Sequence, residues 1–242
     1  MQSIDRGVVK RTVMTSVYGV TFRGARDQIL EKIIEKLEEK GLNTDELEED
    51  IYNASNYLAS VTMDVMGDLF KGARQTQNWL TECARLIAST GHPVAWVTPL
   101  GIPVIQPYRH KKLHSIRTVL QRISLAHEDD DLPIHKSRQV SAFPPNYVHS
   151  LDATHMLMSA LEMNKRGLTF TAVHDSFWTH PCDIDKMNDV LRNSFVELYE
   201  KPLLQDLLKT WEVRFPDLDF PPLPDTGNMD ISCVKDSPYF FQ

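Results

Sequence analysis

The sequence predicts an α+β fold in which helices dominate and strands are confined to short hairpins. Apolar residues recur at helical spacing over long stretches, as in Ile29, Ile33, Ile34 and Leu37. Short apolar runs flank turn signals at Pro99-Leu100-Gly101 and at His174-Asp175. No internal repeat or low-complexity linker interrupts this pattern.

In order, a first helix is expected from Arg6 to Gly19, with Gly24 breaking the pattern soon after. Gln28 to Lys40 reads as an amphipathic helix closed by Gly41. Further helices are expected from Asp45 to Phe70 and from Ala73 to Ser89, the latter with Trp79 and Leu80 inward. Gly91-His92-Pro93 ends that pattern, and Val94 to Thr98 pairs with Ile102 to Gln106 as a hairpin. From Tyr108 to Ser137 basic and apolar residues alternate, ending near an acidic tip at Glu128 to Asp131; this reads as a projecting β-hairpin or loop. Pro144 and Pro145 are expected to open the next helix, which stops at Gly167. Leu168 to Val173 and Phe177 to Thr179 form another hairpin. Asp183 is expected to cap a long helix burying Met187, Leu191, Phe195 and Leu198. A shorter helix after Pro202 leads into a proline-rich tail.

A chain of 242 residues with 42% hydrophobic and 24% charged content has ample core for one large domain or two small ones. No apolar run approaches the ~20 residues that span a bilayer, so no membrane span is expected. The N-terminal MQSIDRGVV resembles neither a signal peptide nor a transit peptide. Cys83, Cys182 and Cys233 are widely spaced, which argues against a disulfide framework or a zinc site. The net charge of -7 argues against a protein that coats DNA nonspecifically, but much of the acid lies between Glu31 and Asp50. Local positive stripes can still hold a nucleic-acid backbone.

The chemistry is concentrated in two places. Arg6, Lys10, Met14 and Tyr18 lie four residues apart, followed by Gly19. Each step drifts only about 40° around a helix, so they share a broad face. Lys10 suits the β- and γ-phosphates of a nucleotide and protonation of departing pyrophosphate, while Arg6 adds a forked phosphate donor. The plain alternative is a solvated basic face. Far downstream, Asp175 stands on a tight turn, where a carboxylate can hold a divalent ion. A turn aspartate bonded to its own backbone is the competing reading. His149, Asp152 and His155 share a predicted helix, but the two histidines are splayed by roughly 120°, which disfavours zinc.

DRGVVKRTVMTSVYGVTF resembles motif B, the nucleotide-binding helix of single-subunit RNA polymerases of the bacteriophage and mitochondrial type. FTAVHDSFWTHP is similar to their motif C, and WVTPLGIPVIQPY, FPPNYVHSLDATHM and the terminal SPYFFQ fall in the family's order. The wording is nearer the mitochondrial members. The resemblance implies part of the fingers and C-terminal palm of a right-hand polymerase. Residues 1–90 would be a fingers segment, 91–140 the hairpins with a specificity-loop-like segment, and 141–242 the C-terminal palm with the aromatic tail. It implies DNA-directed RNA synthesis with Mg²⁺ at Asp175. Tyr18 would discriminate the sugar, Met14 and Gly19 would line the nucleotide, and His149 would contact the ribose. Asp152 would orient neighbours. Arg109, Lys111, Lys112, Arg117, Arg122, Lys136 and Arg138 would contact DNA in the specificity hairpin.

Expected partners are a DNA template, the RNA product, ribonucleoside triphosphates and mitochondrial transcription factors, with mitochondrial location implied by resemblance. The family's motif A aspartate is not found ahead of motif B, so the chain is expected to be a C-terminal portion, inactive alone, that needs the N-terminal polymerase portion. Two rivals remain. A family A-like DNA polymerase fragment shares the Arg-x-x-x-Lys…Tyr-Gly helix, but usually carries Glu where Ser176 stands and an aromatic where Met14 stands. A noncatalytic nucleic-acid-binding remnant would keep the hairpin and lose the chemistry.

Overall fold

The computed structural model describes residues 5–16, 18–41, 47–127 and 131–240. It is α+β and mainly helical, with three two-stranded antiparallel sheets among the described residues. The chain divides into two compact units, Met1–Asn78 and Trp79–Gln242.

The first unit contains α1 (Arg6–Ser16), α2 (Phe22–Glu39), α3 (Glu48–Leu69) and the start of α4 (Lys71–Ser89). Val8, Ala25, Ile29 and Ala59 form its buried centre, flanked by Val9, Val20, Ile33, Leu58 and Met63. Two boundaries differ from expectation. The first helix ends at Ser16 rather than Gly19. Gly19 N–H bonds to Ser16 O at 3.1 Å and Val20 N–H to Thr15 O at 3.3 Å, the paired bonds of a Schellman cap. Gly19 supplies the required positive φ of 82°, which leaves Tyr18 at the cap itself. The second helix starts at Phe22 rather than Gln28, because the Thr21 hydroxyl accepts the Gly24 N–H at 3.1 Å. Gly24 therefore sits in a capped first turn, where its flexibility costs little.

The second unit carries three hairpins. β1 (Ala95–Val97) pairs with β2 (Pro103–Ile105), β3 (Lys112–Arg117) with β4 (Arg122–His127), and β5 (Thr171–Val173) with β6 (Ser176–Trp178). The acidic tip at Glu128 to Asp130 lies outside the described residues, as do Asp45 and Phe241-Gln242. The long α5 (Lys136–Lys165) and the helices α6 (Ile184–Tyr199) and α7 (Leu203–Arg214) complete the unit. The main core is aromatic: Trp96 meets Phe143 edge-on at 5.3 Å, and Trp211 lies 5.4 Å from Phe143. The Trp211 indole N–H bonds to Ala95 O at 2.8 Å, tying α7 to β1. A second cluster of Met163, Met187, Val190 and Leu191 receives Phe177 from β6.

The prolines 144 and 145 lie inside α5 rather than at its start. The helix begins after His135, whose Nδ1 accepts the Arg138 N–H at 3.4 Å. Proline removes helical donors for the carbonyls of Val140 and Ser141, and tertiary packing offsets that cost. Phe143 is fully buried, and so is Gln139, whose side-chain oxygen accepts Val94 N–H at 3.1 Å and Gln106 Nε2 at 2.9 Å. The Gln139 Nε2 donates to Gln106 O at 3.1 Å and to Tyr108 O at 3.2 Å. This amide network fixes the early turns of α5 to the root of the β3–β4 hairpin. Lys136 and Arg138 consequently stand on α5 and not on the hairpin as its sequence suggested.

Candidate functional site

On α1 the buried residues Val8 and Thr12 point inward. Arg6, Lys10 and Met14 each lie two positions from one of these, about 200° around the helix, and all three are exposed, Met14 to 59%. Packing of the first unit thus dictates which face of α1 is presented. The cations of this unit divide accordingly. Arg11 pairs with Glu31 at 2.9 Å and Lys36 pairs with Asp5. Among the described residues, neither Arg6 nor Lys10 has a carboxylate partner, so both are available to an external anion.

Tyr18 is exposed to 41% beyond the last turn of α1, off the helix on which it was expected. The positive φ of Gly19 favours glycine there, and a Cβ would press on the tip of the flexible Gln77 side chain from α4. Gln77 also lines a small cavity of about 90 Å³ with Ser16, Met63, Met66, Phe70 and Arg74. Sequence reasoning missed Gln77, because a lone polar residue in a helix carries no pattern of its own.

In the second unit, Asp175 is exposed on the two-residue turn between β5 and β6. Val173 pairs with Ser176 in the adjoining register, and Ala172 with Phe177. His174 holds the turn with a φ of 55°, a left-handed conformation uncommon for a residue with a Cβ. Phe177, half-buried against Phe170 and His155, anchors the hairpin from below. The turn is therefore a firm platform for one outward carboxylate. Residues 175–178 border a cavity of about 370 Å³ with Met187, Asn188 and Leu191.

Electrostatics bring α5 into the same neighbourhood. Desolvation pushes the Asp152 carboxyl above its usual range, His149 and His155 pull it back, and Asp175 pushes it further up. His155 itself is buried, and its Nε2 lies 2.9 Å from Leu191 O, so it donates to that carbonyl. Burial lowers its pKa, with the carbonyl bond and Asp152 opposing. His155 is thus a structural histidine, while His149 is exposed on a different face of α5. Among the described residues no three His, Cys, Asp or Glu side chains cluster in a metal-binding arrangement. A hard-oxygen donor is nonetheless present in the exposed Asp175.

The β3–β4 ribbon holds Lys112, Arg117 and Arg122, with Lys111 just before it. Arg109 is engaged at its base, donating to Leu132 O at 2.7 Å. Lys136 donates to Ser89 O at 3.3 Å, and Arg138 is exposed in the first turn of α5. The basic residues expected in a single hairpin therefore occupy its strands, its base and a neighbouring helix.

A family model described as DNA-dependent RNA polymerase matches residues 1–219. The chain belongs to the DNA-dependent RNA polymerase family. It is 50% identical over 241 residues to the mitochondrial DNA-directed RNA polymerase 1B of Nicotiana tabacum, covering 100% of this chain and 23% of that protein. It is 52% identical to the chloroplastic DNA-directed RNA polymerase 3 of Nicotiana sylvestris, of which it covers 24%. A shorter relative, DNA-directed RNA polymerase 2A of Nicotiana tabacum, is 49% identical and covered over 70% of its length. This polymerase chain thus spans about a quarter of the first two relatives. Family membership agrees with the likeness of its motif B and motif C segments to the single-subunit enzymes.

Proposed function

We propose that this chain forms the nucleotide-binding and C-terminal palm portion of an organellar, DNA-directed RNA polymerase acting in mitochondrial transcription. The reaction is nucleotidyl transfer: the RNA 3′-hydroxyl attacks the α-phosphate of an incoming ribonucleotide, the bond to the β-phosphate breaks, and pyrophosphate leaves. The observation that carries this reading is the outward face of α1, where Arg6 and Lys10 have no carboxylate partner among the described residues, in a chain of the polymerase family. Arg6 and Lys10 receive the triphosphate, and Lys10 protonates the leaving pyrophosphate. Met14 and Gly19 border the nucleotide. Tyr18 and His149 check the sugar, and the exposed Tyr18 ring suits stacking beside the nascent base pair.

Asp175 would hold Mg²⁺, which supplies charge neutralisation between nucleophile and leaving group. The hairpin turn and the exposed Asp175 carboxylate fit a hard divalent cation, but one carboxylate does not complete a two-metal site. The greater length of the relatives supports a second carboxylate from a palm segment outside these 242 residues. DNA template, RNA product and mitochondrial transcription factors are the partners in this reading. Relatives named for chloroplasts as well as mitochondria support an organellar location, and the mitochondrion is our assignment within it.

Asp175→Asn tests the role of the turn. In the enzyme assembled with its complementary palm segment, extension should fall about a hundredfold or more, the scale of losing one preorganised charge at a transition state, with template affinity spared. Near-normal extension would overturn the assignment of Asp175.

A further inference from the structure

We propose that Val119 and Leu120, at the tip of the β3–β4 ribbon, form an apolar wedge that enters duplex DNA and unstacks a base step, with Arg117 and Arg122 held to the flanking phosphates. The inference rests on the nucleic-acid reading above and goes beyond it, by assigning base contact to apolar residues that the basic-residue pattern passes over.

Three independent features converge on this tip. First, the loop between Arg117 and Arg122 presents two large apolar side chains to solvent. Val119 and Leu120 stand at its centre, neither with the positive φ of a primed hairpin turn, and both are essentially fully exposed. The neighbouring residues close the loop instead. Thr118 N–H donates to Gln121 O at 2.9 Å, and Gln121 N–H donates to the Thr118 hydroxyl at 3.0 Å. Neither apolar side chain makes the bonds that close the loop, so both are free to meet a partner from outside.

Second, Arg117 lies directly opposite Arg122 in the strand register. Like charges placed opposite each other on a ribbon destabilise it. Arg122 donates to the Ser115 hydroxyl at 2.8 Å, and among the described residues neither arginine has a carboxylate partner. A pair of anionic oxygens on either side of the tip would relieve that repulsion.

Third, the segment from Tyr108 to His127 contains Arg109, Lys111, Lys112, Arg117 and Arg122 and no acidic residue, in a chain whose net charge is -7. Every described side chain from Lys111 to Leu125 is exposed. An isolated two-stranded ribbon is marginal in water, so this one is built to meet a partner. Its charge selects a polyanion. A groove of duplex DNA admits a two-stranded ribbon, and apolar side chains inserted between base pairs are a recurrent way to kink and unstack a duplex.

The test uses the full chain and a short duplex carrying 2-aminopurine at several adenine positions, read by fluorescence and by anisotropy. Binding should raise 2-aminopurine fluorescence severalfold. Val119→Ser combined with Leu120→Ser should abolish that rise while leaving the duplex bound with modestly lower affinity. Loss of folding is not expected, since neither side chain is buried. Arg117→Gln should weaken binding and reduce the slope of log affinity against log salt by about 0.9, the loss of one phosphate contact. An undiminished fluorescence rise in the double serine variant would overturn the wedge while leaving the nucleic-acid reading intact. Unchanged affinity and salt dependence in Arg117→Gln as well would overturn the placing of Arg117 at a flanking phosphate. Failure of the wild-type chain to bind duplex would overturn the wedge together with the DNA-contacting reading of the ribbon.

Discussion

Gln139→Leu is expected to destabilise the second unit by about 4 kcal/mol, and the value can be worked from the hydrogen bonds it removes. The buried Gln139 amide takes the place of one rung in the β1–β2 ladder. Gln106 N–H donates to Val94 O at 3.1 Å, but the reciprocal Val94 N–H donates to Gln139 Oε1 at 3.1 Å instead of to Gln106 O. Gln106 O receives Gln139 Nε2 at 3.1 Å. Leucine is close to glutamine in volume, so no large cavity forms. Tyr108 O keeps the His135 N–H at 3.0 Å, and Gln106 Nε2 keeps the Gln139 carbonyl at 3.0 Å. Two buried groups, Val94 N–H and Gln106 O, are left unpaired at about 1–3 kcal/mol each. Urea unfolding followed by tryptophan fluorescence measures this cleanly, because all four tryptophans lie at 79, 96, 178 and 211, within the second unit. The slope with denaturant should be unchanged and the midpoint lowered. A loss below about 1 kcal/mol would mean that the ladder closes on itself, with Val94 donating directly to Gln106, and would refute the bridging role of the amide.

Three further outcomes follow from named side chains. Tyr18→Phe in the assembled enzyme should retain extension while relaxing discrimination against deoxyribonucleotides, measured by competing the two substrates; unchanged sugar preference would remove the role given to Tyr18. Burial lowers the folded-state pKa of His155 below 6.5, so the unfolded chain binds its proton more readily. The associated stability is present above about pH 6.5 and lost as pH falls through that value towards the folded one, and a series of urea melts should show His155→Gln flattening the dependence. Cys83 is buried, with its thiol pushed up to about 12 by desolvation, whereas Cys182 and Cys233 are exposed. A thiol reagent should therefore label the two exposed cysteines in the native protein and reach Cys83 only on unfolding.

The sequence made the hairpins legible because turn residues and short apolar runs are local signals. Gly41 and Gly167 marked helix ends for the same reason, and both take the positive φ of a cap. Where the expectations failed, nonlocal packing had outweighed a local rule. The start of α5 was hidden because Gln139 is polar by type but fully buried by its amide bonds, and because the prolines read as a helix opening. Gly24 read as a break until Thr21 capped the turn around it. On α1 the spacing of Arg6, Lys10 and Met14 was visible, but their outward direction depended on Thr12, a polar residue that turned out to be buried. The electrostatic influence of Asp175 on Asp152 joins a hairpin to a helix earlier in the chain, and no sequence period encodes it.

The central claim is that this chain supplies the triphosphate-binding helix and one carboxylate of a polymerase site completed by another palm segment. Mg²⁺-dependent extension of an RNA primer on a DNA template tests it most directly, with the chain alone and with a motif A-containing palm fragment added. The account predicts extension only when the fragment is present. Extension by the chain alone would show that a second carboxylate resides within these residues, and would contradict the site proposed around Asp175.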